Sequence, residues 1–232
     1  MVRRKDPFVP GEYYHIYNRG NSKQKIFLDD KDYRHFIKCL FVCNTYKNFK
    51  FREDIIEAKI DAFEFDRGQP LVSIGAWVLM PNHFHIYLTI NPQSSHMSDM
   101  WKKNQVSEFM RKLSTAYSKY FNLRYNRSGG LFEGPFKSAL VSKNNHAKYL
   151  FSYIHLNCIK LMNSKWKEEG IKDKKAALEF LKNYKWSSYL DHRGISRKEN
   201  AILKISDFPK YFNNLNDFDA EILEWISFSP HV

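Results

Sequence analysis

Cysteine is scarce in this 232-residue sequence: Cys39, Cys43 and Cys158 are all there is, and no two of them form a CxxC pair. Neither a disulfide framework nor a thiolate zinc site is thereby supported, and a reducing cytoplasm fits best. Long apolar runs are missing too; nothing approaches the roughly 20 residues needed to cross a bilayer. The N-terminus, Met-Val-Arg-Arg-Lys-Asp-Pro-Phe, is basic but no apolar signal region follows it, so a soluble chain with no membrane partner is expected. There is no internal repeat and no low-complexity tract. Acidic side chains are outnumbered, 25 Asp plus Glu against 37 Lys plus Arg, for a net charge of +12 with His neutral. That excess favours a polyanion, nucleic acid before an anionic membrane surface, because each phosphate neutralised releases condensed counterions. What the sequence does have is apolar surface: 43% hydrophobic and 16% aromatic residues, enough for a core and too much for a disordered chain.

Periodicity divides the chain. Residues 12–18 are aromatic and β-branched and end at Asn18-Arg19-Gly20-Asn21, which predicts a strand closed by a turn. The acidic run 29–32 can cap a helix that carries Tyr33, Phe36, Ile37, Leu40 and Phe41 at helical spacing to about Tyr46. Residues 47–70 show no period and read as an irregular or partly helical insertion. Two dense strand signals follow, 71–80 and 83–90, separated only by Pro81-Asn82, so an antiparallel pair with a tight turn is expected. From Ser98 to about Arg124 apolar residues recur at helical intervals without Gly or Pro. A turn at 128–130, a fourth extended element over 131–141 and a helix over about 146–161, capped by Asn144-Asn145, complete the series. The order β-α-β-β-α-β plus a further helix predicts an α+β fold: a ferredoxin-like antiparallel sheet, its helices on one face. Residues 1–162 form the expected catalytic domain, and 163–232, more charged, a partly helical C-terminal extension.

Two constellations carry chemistry. His83 and His85 flank Phe84 on a strand, and residues two apart project from the same face, so both imidazoles can meet one metal ion while Phe84 turns to the core. Incidental histidines are the competing reading. On the last helix Tyr153 and Asn157, four apart, share a face with Tyr149 one turn earlier, while Leu150, Ile154 and Leu161 form a stripe suited to the core. Read alone, Tyr153 and Asn157 are a core-edge aromatic and its polar neighbour. Together with the histidines they suggest a metal and a nucleophile on facing elements.

The segment 77–88, with Met80-Pro81-Asn82-His83-Phe84-His85 at its centre, resembles the HUH motif (His, bulky hydrophobe, His) of the single-tyrosine transposases, and in particular the REP-associated tyrosine transposases and their insertion-sequence relatives. Three further segments agree in order: His15-Ile16-Tyr17-Asn18-Arg19-Gly20, residues 130–138, and Tyr153-Ile154-His155-Leu156-Asn157; Trp186-Ser187-Ser188-Tyr189 is also similar to a family element. The sequence departs from the pattern at Cys158, where many relatives have proline, and at Glu133 and Pro135, where Gln and Arg are common. The resemblance implies metal-assisted transesterification of single-stranded DNA, with Tyr153 attacking a phosphodiester to leave a 5′-phosphotyrosine link and a free 3′-hydroxyl. It implies His83, His85 and the amide oxygen of Asn157 as ligands of Mg²⁺ or Mn²⁺, an imperfect DNA hairpin as substrate, and a nucleoid-associated location when DNA is bound. A phenol with a pKa near 10 needs a nearby cation to become a nucleophile at neutral pH. His155, two residues from Tyr153, is assigned no role.

For DNA binding the candidate cations are Arg111, Lys112, Lys119, Arg124, Arg127 and Lys137, with Tyr120, Phe121, Tyr125 and Phe132 nearby to stack on bases; a solvated helix face over an aromatic core explains many of them equally well. Besides the DNA-cleaving and joining enzyme, two alternatives stand: a noncatalytic hairpin-binding protein, and a metal-dependent nuclease using water. A homodimer and a monomer are both open.

Overall fold

The computed structural model describes residues 7–90, 105–141, 144–212 and 214–227. The expected helix start at Ser98, with Met100, Lys102 and Lys103, and the expected caps Asn144 and Asn145 concern backbone or side chains outside that description.

Four strands, β1 (Tyr13–Arg19), β2 (Val72–Met80), β3 (His83–Ile90) and β4 (Lys137–Leu140), form one antiparallel sheet in the order β2-β3-β1-β4. Helix α1 (Asp30–Val42) links β1 to β2 and α2 (Gln105–Arg124) links β3 to β4. This is the split β-α-β-β-α-β arrangement that the element order predicts, and the fold is α+β. Local chemistry starts α1 where expected: the Asp29 carboxylate accepts hydrogen bonds from the backbone N–H groups of Lys31 and Asp32, and Asp30 and Asp32 lie in the first turn. The insertion contains a short π-helical turn, Arg52–Glu57, and a 3₁₀ turn, Ala62–Glu64.

The two faces of the sheet differ in what covers them. In β1 residues alternate between buried (Tyr14, Ile16, Asn18) and half-buried (Tyr13, His15, Tyr17, Arg19). The buried set, with Phe84 of β3, packs under α1 and α2, where Phe36 meets Phe84 and Tyr117 with ring centroids 5.0 and 4.9 Å apart. The other face is covered by α3 (Asn144–Leu156), which packs on β2 and β3. The crossover helices thus share one face, and the further helix takes the opposite one.

Residues beyond α3 tie that helix to the sheet. A 3₁₀ turn, Asn157–Leu161, is followed by α4 (Trp166–Glu169), α5 (Lys174–Asn183), α6 (Tyr189–His192) and α7 (Leu215–Ser227). Residues 184–204 run along the open edge of β2: Leu79 N–H donates to Trp186 O (2.9 Å), Ser188 N–H to Trp77 O (2.9 Å) and Lys204 N–H to Ile74 O (2.9 Å). Covering an edge in this way removes a row of unpaired backbone groups. Trp186, Tyr189, Ile202 and Phe218 enter the same hydrophobic core as the sheet. Leu161, expected on the core stripe, is 45% exposed. The change from α to 3₁₀ winding after Leu156 turns each following residue further round the axis, carrying Leu161 off the stripe.

Candidate active site

Strand register assembles one wall of the site. The tight turn Pro81-Asn82 starts β3 at His83; Pro81 O accepts from Ile26 N–H (2.8 Å) and Phe27 N–H (3.1 Å), and Asn82 O from Gly20 N–H (2.8 Å). Across the sheet His83 lies opposite Arg19, and His85 opposite Tyr17, which lies opposite Lys137. Directly opposed residues share a face, so these side chains converge on the face that α3 covers. A cleft of about 520 Å³ opens there, lined by Tyr17, Arg19, Lys23, His83, His85, Glu133, Lys137, Tyr153 and Lys160 among others.

Three of the four central candidates, His83, His85 and Tyr153, line this cleft, and the fourth, Asn157, is buried beside His83. The rings of His83 and His85 lie 5.1 Å apart, centroid to centroid, and the Tyr153 ring stands edge-on to His85 at 5.8 Å. Asn157, on the first turn after α3, is fully buried and lies close enough to His83 to favour the protonated imidazole. Even so, neither its Oδ1 nor its Nδ2 makes a hydrogen bond of acceptable geometry, and both are shut off from solvent. A buried, partnerless amide costs about 1–3 kcal/mol, so this carbonyl oxygen stands beside an imidazole with an unused lone pair.

The turn sets the tautomer of His83. Asn82 Nδ2 donates to Lys23 O (3.2 Å), which leaves Asn82 Oδ1 facing His83 Nδ1 at 2.7 Å. Because Oδ1 only accepts, Nδ1 carries the proton and Nε2 keeps its lone pair. Burial pushes the His83 pKa down to about 4, with further lowering from Lys160 and Arg19; the ring is neutral at physiological pH, the state that ligates metals. His85 Nδ1 lies 2.8 Å from His15 Nε2, in a stacked pair with ring centroids 5.0 Å apart. Among the described residues no group of three His, Cys, Asp or Glu is gathered to hold a metal ion. Two imidazoles and the Asn157 amide are the donors available, and they fit a divalent cation that completes its shell with water and phosphate oxygens.

Three side chains at the site escaped the sequence analysis as functional residues. His15, also edge-on to Tyr153 at 6.4 Å, belongs to the half-buried alternation of β1, but only the pairing register puts it beside His85. Lys160 places its ammonium 5.8 Å from the Tyr153 ring centroid; its spacing of seven from Tyr153, two helical turns, was a readable signal. Arg19 makes a bidentate ion pair with Glu133, whose carboxyl it holds below the usual range. Glu133, expected as an acid beside the DNA path, is thus neutralised at the cleft's rim.

Of the six candidate DNA-binding cations the structure brings only Lys137 to the cleft. Arg111, Lys112 and Lys119 line a separate groove of about 590 Å³ between α1, the insertion and α2, on the other face of the sheet. There Arg111 pairs with Glu108 (2.7 Å), and Lys112 donates to Thr45 O (2.7 Å) and Lys47 O (3.0 Å). Arg124 bridges Asp29 (2.5 Å) and the fully buried Asp32 (2.6 Å), and the Arg127 guanidinium sits 5.5 Å from the centroid of Phe121. Phe121, expected to stack on bases, is a core residue, and the Tyr120 and Tyr125 hydroxyls donate to Asp32. Amphipathic α2 buries one side, and its cations are taken up by acids at the start of α1 (Arg124), by Glu108 of α2 itself (Arg111) and by backbone carbonyls (Lys112), which is why sequence proximity to Tyr153 did not become spatial proximity. His155 turns away into the core, its Nε2 2.9 Å from Ser188 Oγ.

No protein-family model and no curated protein matches the chain. Its structural neighbours include a REP-associated tyrosine transposase solved bound to a REP hairpin (14% identity, 86% of this chain and 90% of that one, TM-score 0.45). Another is a putative transposase from Deinococcus radiodurans R1 (13% identity, 64% and 93%, TM-score 0.32). None of the described helices is long and apolar enough to cross a membrane.

Proposed function

We propose that this protein is a single-stranded DNA endonuclease and strand transferase of the transposase type, acting near DNA hairpins through Tyr153. The observation that carries the proposal is the meeting of His83, His85 and Tyr153 at one cleft, from two sheet positions and one helix, with the buried Asn157 amide beside His83. The ordered motifs on which the sequence resemblance rests are those that build the cleft. In the reaction the Tyr153 oxygen forms a bond to phosphorus as the bond from phosphorus to the 3′-oxygen breaks; the phenol loses its proton and the departing 3′-oxygen gains one. The product is a 5′-phosphotyrosine link with a free 3′-hydroxyl, which can attack in the reverse sense to join strands. A Mg²⁺ or Mn²⁺ ion held by His83, His85 and Asn157 would supply charge to polarise the scissile phosphate. Lys160 offers positive charge beside the Tyr153 ring, and Lys137 and Lys23 line the path for the phosphate backbone.

The test is to incubate the protein and its Tyr153→Phe variant with labelled hairpin DNA from around its own gene plus Mn²⁺, and to look for a covalent protein–DNA band on a denaturing gel. An adduct in wild type alone is the expected result. Tight binding without an adduct points to a noncatalytic hairpin binder; free 5′-phosphate ends without an adduct point to a nuclease that uses water.

A further inference from the structure

We infer that His15 is a positioning residue: it accepts a hydrogen bond from His85 Nδ1–H and so holds His85 in the tautomer whose Nε2 lone pair faces the cleft. The inference rests on the metal-assisted reading above and extends it to a residue that reading does not need. His15 Nε2 and His85 Nδ1 are 2.8 Å apart, so one of the two nitrogens is the donor and the other the acceptor. If His15 donated, His85 would carry its own proton on Nε2 and have no lone pair to offer at all. If His85 donates, Nε2 is a ligand, matching the state that Asn82 imposes on His83 from the turn.

The geometry holds the pair in this one hydrogen bond, and the ligand role that the metal-assisted reading gives His85 requires the second arrangement. His85 is 7% exposed and stacked between neighbours, with ring centroids 5.0 Å from His15 and 5.8 Å from Tyr17, so its ring cannot easily flip to exchange the two nitrogens. The nitrogens of His15 and His85 are 2.8 Å apart while the ring centroids are 5.0 Å apart and the rings inclined by 24°, so the shared hydrogen bond lies near both ring planes, where nitrogen lone pairs point. The neighbouring His83 shows the same pattern, its Nδ1 donating to an outer acceptor, Asn82 Oδ1. Such outer partners fix the orientation and basicity of metal-bound imidazoles, and losing one typically weakens metal affinity about 10- to 100-fold.

The test uses ¹⁵N-labelled full-length protein, with Mn²⁺ alone as the metal probe. Long-range ¹H–¹⁵N spectra of the metal-free protein should show His85 protonated at Nδ1. In His15→Phe, which keeps the ring and its stacking but has no acceptor, that signature should give way to a mixture of tautomers. Mn²⁺ affinity, read from the paramagnetic signal of the free ion, should fall by about 10- to 100-fold. His15→Gln, whose amide oxygen can reach the place of Nε2, should recover most of both, and it keeps the test decisive should the phenylalanine variant fold poorly. His85 protonated at Nε2 in the wild type, or His15→Phe with unchanged Mn²⁺ affinity while His85→Ala loses it, would overturn the role of His15 alone. Mn²⁺ binding that is absent, or that ignores His85→Ala, would overturn the metal-assisted reading and the inference together.

Discussion

Replacing Asn157 by leucine should stabilise the metal-free protein. Leucine has the same branched heavy-atom skeleton but no polar atom, and in the structure both polar atoms of the Asn157 amide are buried without a partner. Relief of that penalty is worth about 1–3 kcal/mol. For a chain of this size each kcal/mol moves the melting midpoint by about 2–4 °C, so Asn157→Leu should melt higher than wild type by on the order of 5 °C when both are stripped with chelator. Saturating Mn²⁺ should reverse the order. Wild type then gains about 2.7 kcal/mol at a metal concentration 100 times its Kd, whereas the variant, lacking the amide oxygen, gains far less. Differential scanning calorimetry at pH 7.5, with and without Mn²⁺, reads both effects. A variant that melts at or below wild type without metal would refute the reasoning, for it would mean that the amide is satisfied and is not held in reserve for a ligand.

Four other expectations follow from the geometry. Lys160→Ala should slow single-turnover formation of the Tyr153 adduct by about tenfold, which corresponds to about 1.4 kcal/mol of barrier, and Lys160→Arg should restore most of it; unchanged kinetics in the alanine variant would remove Lys160 from the chemistry. Acid should destabilise the fold through His35 and His192, both pushed down to about 4, chiefly by burial. The unfolded chain titrates these imidazoles near pH 6.5 while the folded protein resists protonation, so stability is intact above about pH 6.5 and falls progressively toward pH 4, by up to about 3 kcal/mol per histidine; urea midpoints across that range that do not move would count against it. Removing the buried carboxylate in Asp32→Ala leaves Tyr120, Tyr125 and the Leu28 N–H without this acceptor and Arg124 with Asp29 alone, and should cost about 3–5 kcal/mol in urea unfolding. In the same experiment Arg124→Ala should lower stability with little change in hairpin affinity, and the opposite pattern would return Arg124 to the DNA path.

Chain pattern alone determined a good deal. The aromatic and β-branched run of β1, the dense apolar runs of β2 and β3 and the helical spacing in α1 and α2 depend on φ and ψ preferences and on which residues want water, and these are readable residue by residue. For that reason His83 and His85 could be placed on one side of a strand, and Tyr153 and Asn157 one turn apart, before any contact was known. Which side of the sheet each element covers is decided by packing between residues far apart in sequence. The pairing of β1 with β3 set His15 beside His85 and Arg19 beside His83. The docking of α3 on that face brought Tyr153 to them, and the winding change after Leu156 sent Leu161 into solvent. The same docking left the cations of α2 on the opposite face, where acids of α1 and of α2 itself neutralise Arg124 and Arg111. Residues 184–204, charged and without a strong period, gave no local sign that they would close the edge of β2, because that role depends on backbone groups that any residue carries. Local pattern thus determined the chemistry each element can offer, and tertiary packing decided which of those offers share a cleft, since burial of an unsatisfied amide and the acceptor for an imidazole N–H exist only between segments already brought together.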